Sequence, residues 1–419
     1  MGRSGPTRSI GWFAPLVAAV VSVGLLAGCS DDPAPASSST TKTPGSTAGT
    51  SRSAASSGPV KEFKGTDAAF YVPPDPLTPG APGELIRKMT TSDANGQVTV
   101  KIMYHSRDAQ DRDRPVTGLV TYPKAKGPAD GWPIIATAPG TVGVDAHCGL
   151  SHTAEDAPDW GITGVRVMTD YIGLGPVGEP LHPYLSRPSE GHSVIDGVRA
   201  ARNLPGVDAG DRWFSVGHSQ GGHGSLSASE LAADYAPELN LMGTVALAPA
   251  AMLDKVYGGI DPIVTSVLTA MSLYGGAGEH PEIKVSDYVT PEMAKASAVF
   301  RTGCLDEITN ELVPLVLDGK MFAADPRTTE PAQSLLLQND VGNVAVDAPL
   351  FLASGTADER VAIQRSRDLF DRLCQTGQVT ELHIVEGADH GSIIPETAAD
   401  VKAFLQARLD GTEPHDSCP

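Results

Sequence analysis

The chain is short of positive charge. Its 419 residues hold 31 Lys and Arg against 50 Asp and Glu, a formal net charge of −19. Nucleic-acid binding calls for cations gathered on one face, and docking on anionic head groups calls for a basic patch, so this balance argues against both. Long apolar runs are lacking as well. The one candidate, residues 10–26, is short and ends in small residues, a poor fit to a membrane-spanning helix. Cysteine is scarce, with five in the chain: Cys29, Cys148, Cys304, Cys374 and Cys418. No internal repeat stands out.

What is present begins with an address. Arg3 and Arg8 precede the apolar stretch, and Leu26-Ala27-Gly28-Cys29 resembles a bacterial lipobox. Residues 1–28 are therefore expected to be a lipoprotein signal peptide. Cleavage before Cys29 leaves a thiol for diacylglycerol and an amine for a further acyl chain, and two or three chains suffice for stable anchoring. Losing Arg3 and Arg8 takes the charge from −19 to −19 − 2 = −21. Residues 29–62 follow as a Ser/Thr/Pro-rich tether with too few large apolar groups to offset the entropy of ordering, and it spans roughly 30 Å as a flexible coil. The expectation is an exported protein held to the outer face of the cell membrane through Cys29. Four cysteines then remain, an even number that suggests two disulfides in an exported chain, with buried free thiols as the alternative. Spacing alone leaves three connectivities open; the places of the cysteines among the elements suggest Cys374 with Cys418 and Cys148 with Cys304.

From residue 63 the composition is that of a folded body. Residues 70–74 and 79–83 read as an extended arm laid on it. Strand patterns follow at 97–105, 117–122, 133–138, 164–169, 213–216, 241–247, 349–353 and 380–385, with helical patterns at 192–203, 219–233, 361–373 and 397–409. Two antiparallel-looking strands followed by strand and helix alternation indicate an α/β protein with a mainly parallel central sheet and flanking helices. Residues 249–347 interrupt the rhythm with about a hundred residues lacking a strand pattern, better read as a mostly helical cap than as a loop. The body is then 63–248 and 348–419. In the cap Ile263, Val264, Val267, Leu268 and Met271 share one helix face, for most of which ordinary packing outweighs substrate contact.

The chain is organised around Gly217-His218-Ser219-Gln220-Gly221. A buried strand turns sharply into a helix at Ser219, which exposes its hydroxyl and demands small residues on either side. A serine hydroxyl is a weak nucleophile and needs a base, which in turn needs an orienting carboxylate. Asp358 lies just past one strand and His390 in the loop after the next, so the order Ser219, Asp358, His390 is that of α/β-hydrolases. Asp389 and Asp170 are the rival acids. His218 and His223 flank the serine and read as packing or helix residues. Two amides must stabilise the oxyanion: that of Gln220, and one from the loop after strand 133–138, where Pro139-Gly140-Thr141 points to Thr141.

Several further stretches carry a family resemblance. They are Phe70-Tyr71-Val72-Pro73-Pro74 with Pro82-Gly83, Asp170-Tyr171-Ile172-Gly173-Leu174-Gly175 with His182-Pro183-Tyr184-Leu185, Val198-Arg199-Ala200-Ala201-Arg202, residues 217–222, residues 355–358 and His390. Over about residues 70–409 the chain resembles the secretory lipases of the α/β-hydrolase superfamily, in an actinobacterial lipoprotein version. The resemblance implies the α/β-hydrolase fold, ester hydrolysis by Ser219, Asp358 and His390, no cofactor and no metal, and a helical cap over an acyl-binding pocket for a lipid or small ester. Two alternatives use the same features: transfer of the acyl group to an envelope alcohol, and a non-catalytic lipid-binding lipoprotein.

Overall fold

The structure is a computed structural model that describes residues 60, 62–255, 258 and 260–419. The signal segment, Cys29 and the tether through residue 59 lie outside the described residues.

The folded body begins with a single helical turn, α1 (Asp67–Phe70), started by Thr66, whose hydroxyl accepts from the Ala69 amide. Phe70 and Tyr71 are buried against Met103. Of the extended arm expected at 70–74 and 79–83, Phe70 instead closes this turn and Tyr71 caps it, whereas residues 72–74 and 79–83 lie outside helix and strand. Three antiparallel strands follow, β1 (Leu85–Ala94), β2 (Gln97–Arg107) and β3 (Asp113–Pro123), and then β4 (Trp132–Ala138) and β5 (Val165–Thr169). After α2 (Arg187–Arg202) come β6 (Ala209–His218), α3 (Gln220–Tyr235) and β7 (Asn240–Leu247). The strand β1 carries no apolar run; it is the sheet edge, its second half exposed, and pairing with β2 rather than burial defines it.

A helical insertion separates β7 from β8 (Leu350–Gly355). It contains α4 (Pro262–Gly276), α5 (Pro291–Ala296), α6 (Leu305–Leu317) and α7 (Ala332–Asn339), and among the described residues no strand of the sheet. The helix α6 escapes the sequence pattern because it buries only Ile308 and Leu312 and holds Pro314 in its last turns. The chain closes with α8 (Ile363–Thr376), β9 (Thr380–Val385) and α9 (Ile393–Leu409).

The nine strands lie in the order β1-β2-β3-β5-β4-β6-β7-β8-β9, antiparallel on the β1 side and parallel from β5 through β9. Because strand side chains alternate, each parallel strand feeds two cores. Ile134, Ala136 and Trp213 pack with Val194, Val198 and Ala228 of α2 and α3, whereas Ile135, Phe214 and Val216 pack with Val401, Phe404 and Leu405 of α9. Leu350 and Leu352 meet α8 through Leu369 and Leu373. The helices α2, α3 and α8 therefore cover one face and α9 the other, the layered solution for a sheet buried on both sides. The insertion builds a further core, in which Val267, Met271, Phe300, Ile308 and Leu312 are buried together with Val144, Tyr184 and Leu185 of the body.

Both disulfides form in the expected pairing. Cys148–Cys304 ties the loop after β4 to the start of α6, and Cys374–Cys418 ties α8 to the C-terminal tail.

Candidate active site

Ser219 stands between the last residue of β6 and the first of α3, at φ 60° and ψ −119°. A non-glycine residue rarely adopts this conformation, and here neighbouring backbone fixes it. Its amide donates to the Leu247 carbonyl at 2.9 Å, and its carbonyl accepts from the amides of Ala250 at 3.0 Å and His223 at 3.1 Å. The turn is tight enough that a Cβ on Gly217 would fall onto the Gly221 carbonyl, and one on Gly221 onto the Ala138 carbonyl. The glycines flanking Ser219 are thus required by the close approach of β4, β6 and α3.

Asp358 follows β8 and His390 follows β9. One carboxylate oxygen of Asp358 accepts from the amides of Arg360 and Val361, both at 2.8 Å, and the other accepts from His390 Nδ1 at 2.7 Å. Asp358 is buried and held at one oxygen by its own turn, so the second oxygen has a fixed direction. With its proton on Nδ1, the imidazole keeps a lone pair on Nε2. The rival acids are engaged elsewhere. Asp389 accepts from the amides of Gly391 and Ser392 within its own loop, and Asp170, just past β5, is buried against Ser151 and Thr117.

His218 and His223 differ in surroundings. The His218 ring lies beside His390, with centroids 4.4 Å apart, and its Nε2 donates to the His390 carbonyl at 2.7 Å. Burial, reinforced by the neighbouring His390, holds His218 down at about 4, so at neutral pH it is an uncharged donor that steadies the His390 loop. His223 is fully buried on the far side of the turn, in contact with Glu190 at 2.7 Å. Neither histidine bonds to Asp358.

Ser219, His390, His218, Gly140 and Thr141 line one cavity of about 320 Å³. The Gln220 amide, first in α3, belongs to the turn of helix whose N–H groups have no intrahelical acceptor. The Thr141 hydroxyl is bonded to Tyr184 Oη at 2.8 Å, which pins the start of the loop after β4 at the cavity wall. The apolar part of the remaining wall comes largely from the insertion, from Leu253, Val264, Val267, Leu268, Leu305 and Leu336, and charged side chains including Lys255, Arg327, Arg360 and Arg365 line the cavity as well. Of the helix face picked out in the sequence, Val264, Val267 and Leu268 face the cavity, whereas Met271 is fully buried in the insertion core and does not.

The sequence pattern missed Glu190, His182 and Tyr184 as parts of this site. Glu190 sits in the first turn of α2, where an acidic residue is ordinarily explained by the helix dipole, and nothing in its spacing shows that it is buried under Ser219.

Comparison with known proteins follows the same lines. The secretory lipase profile matches residues 163–417, well over half of the chain. Among curated relatives, a secreted triacylglycerol lipase, LIP5, of Malassezia globosa is 24% identical over 253 residues, covering 57% of this chain and 53% of that protein. Lipase 2 of Candida albicans is 25% identical over 285 residues, covering 61% of this chain and 58% of that protein. The chain thus matches little more than half the length of these two relatives. In fold it is similar to lipase A of Candida antarctica in its closed state, with a TM-score of 0.67 at 20% identity, covering 84% of this chain and 88% of that one. The mainly parallel sheet, the serine at a strand-to-helix turn and the match across residues 163–417 together place this chain in the secretory lipase family.

Proposed function

We propose that the protein is a serine hydrolase that cleaves carboxylic esters of lipid type through an acyl-enzyme. The observation that carries this reading is the 2.7 Å bond from His390 Nδ1 to a buried Asp358 oxygen, on the same cavity that Ser219 lines. Ser219 Oγ attacks the ester carbonyl while His390 Nε2 takes its proton. His390 then gives that proton to the leaving alcohol, and water releases the acid by the same route. Asp358 holds the imidazole in the tautomer that leaves Nε2 free and stabilises it when charged. The amides of Gln220 and Thr141 receive the oxyanion. No step calls for a metal or cofactor.

In this reading residues 249–347 form a cap that shapes the acyl pocket. Burying each methylene of an acyl chain is worth about 0.8 kcal/mol, so the apolar wall sets chain-length preference more than catalytic competence. Leu268 is half-buried on that wall, whereas Val267 and Met271 are buried enough to serve the fold as well. Leu268→Asp is expected to penalise p-nitrophenyl octanoate several-fold more than the acetate ester, measured as the ratio of the two kcat/KM values on a variant with an unchanged circular dichroism spectrum. Equal loss on both esters would mean that the pocket lies elsewhere.

The same proposal covers export and anchoring: residues 1–28 direct secretion, Cys29 is lipidated, and residues 29–62 tether the enzyme to the outer face of the cell membrane. It is supported by the lipobox-like Leu26-Ala27-Gly28-Cys29. Among the described residues no helix is long and apolar enough to cross a membrane. Growth of an expressing bacterium on labelled palmitate is expected to label the wild-type chain and leave Cys29→Ala unlabelled. An unlabelled wild type found wholly in the medium would overturn the anchor.

A further inference from the structure

Directly behind Ser219 lies a buried cluster of charge that the triad does not use. Glu190 of α2 is fully buried. Its Oε1 accepts from the Leu185 amide at 2.9 Å and from Gln220 Nε2 at 2.7 Å, and its Oε2 accepts from His223 Nδ1 at 2.7 Å. Three donors converging on one carboxyl mark it as ionised. Burial alone would raise its pKa, but the charge of His223 and its hydrogen bond more than offset this and hold it well below the usual carboxylate range.

The histidines around it are in different states. His182 Nδ1 donates to the Ile172 carbonyl at 2.8 Å, so its Nε2 is left to accept from Gln220 Nε2 at 2.7 Å, and the ring is neutral. His223 has acceptors at both nitrogens: the Glu190 carboxylate at Nδ1, and the carbonyl of Asn339, last residue of α7, at 2.8 Å from Nε2. Only an imidazolium fills both bonds. Burial opposes that charge, while Glu190 and the nearby Asp340 favour it, and the net shift is upward. The other charged groups facing the pair are Arg187 of α2, bonded at 3.1 Å to Glu230 of α3, and Arg372 of α8, bonded at 2.7 Å to Asp340.

We propose that His223 is a positioning residue which, as an imidazolium, cancels the Glu190 charge beneath the oxyanion site and so lets Glu190 fix Gln220 without opposing the developing negative charge. The inference rests on reading Ser219 as the nucleophile and the Gln220 amide as an oxyanion donor. Gln220 is gripped through its side chain by Glu190 and His182, so its amide is aimed by groups buried one hydrogen bond behind it. A carboxylate is an effective anchor there and a harmful neighbour, because a like charge in a poorly solvated site raises the cost of forming the oxyanion. The His223 proton resolves the conflict. It also ties α7, whose Leu336 lines the cavity, to the helix that carries Gln220. The sign follows: His223 is charged below its raised pKa, so this support is complete at lower pH and is lost as pH rises through that value.

The test is steady-state hydrolysis of p-nitrophenyl butyrate across pH by wild type, His223→Gln, Glu190→Gln and the double variant, each checked by thermal melting. His223→Gln leaves the carboxylate uncompensated and is expected to lower kcat by about tenfold or more at about pH 7, with little change in KM. The double variant removes both charges and is expected to regain kcat over His223→Gln and to lose the alkaline limb of the wild-type profile. A double variant no more active than the worse single, with the limb intact, would overturn the proposal by showing that the pair serves packing alone. If the His223 variants do not fold, nitrogen-labelled histidine spectra decide it: an imidazolium with both nitrogens protonated is expected in wild type at about pH 7, where an ordinary histidine is mostly neutral, and lost in Glu190→Gln. Its absence in wild type, or its survival in that variant, would equally overturn the proposal. Retained activity in Ser219→Ala would instead remove the reading on which this inference stands.

Discussion

Replacing Ser219 by alanine is expected to lower kcat for ester hydrolysis by about a million-fold while thermal stability stays nearly unchanged. The first half follows from chemistry. Without Oγ there is no acyl-enzyme, and only the oxyanion amides and binding remain to assist water. The second half follows from what holds the turn. The unusual backbone at φ 60° is fixed by main-chain bonds to Leu247, Ala250 and His223, none of which involves the hydroxyl, and by glycines that alone fit against Ala138 and Gly221. Alanine keeps all of these. A variant that hydrolysed p-nitrophenyl butyrate at the wild-type rate would remove Ser219 from the mechanism.

Asp358→Asn is expected to cost about ten-thousand-fold in kcat with the fold intact. Asparagine can keep its oxygen on the Arg360 and Val361 amides, so the turn after β8 survives. Its amide nitrogen then faces His390 Nδ1, where a donor meets a donor. The imidazole relieves the clash by moving its proton to Nε2, the one atom that must be bare to accept from Ser219. Asp389→Asn should do little by comparison, because that carboxylate serves only the Gly391 and Ser392 amides of its own loop. If Asp389→Asn proved the more damaging, Asp358 would be the wrong acid.

Much of this was legible in the sequence because local chemistry and tertiary demand coincide. The glycines around Ser219 are there because the turn admits nothing larger, and the strands at 133–138 and 241–247 read as apolar runs because both of their faces are covered. The meeting of Asp358 and His390 could be anticipated because open α/β sheets build sites just beyond the carboxyl ends of strands. What stayed hidden depends on partners distant in the chain. The edge strand β1 is defined by its pairing with β2. The turn at Asp67–Phe70 goes with the burial of Phe70 and of Tyr71 just after it against Met103. Glu190 and His223 read singly as a dipole-compensating acid and a helix histidine; only the crossing of α2 and α3 makes them a buried ion pair. Met271 shares a periodicity with Val264 and Leu268, and the helix pattern alone does not divide the cavity wall from the insertion core.

The most direct test of the central claim is to trap the nucleophile. Diethyl p-nitrophenyl phosphate reacts with an activated serine by losing p-nitrophenolate and leaving a diethylphosphoryl group on Oγ. Incubation of the full chain followed by peptide mass spectrometry is predicted to show one such group, on the peptide containing Ser219, appearing in step with the loss of esterase activity and absent from Ser219→Ala. Inactivation with Ser219 unlabelled, or stoichiometric labelling of another residue, would contradict the account.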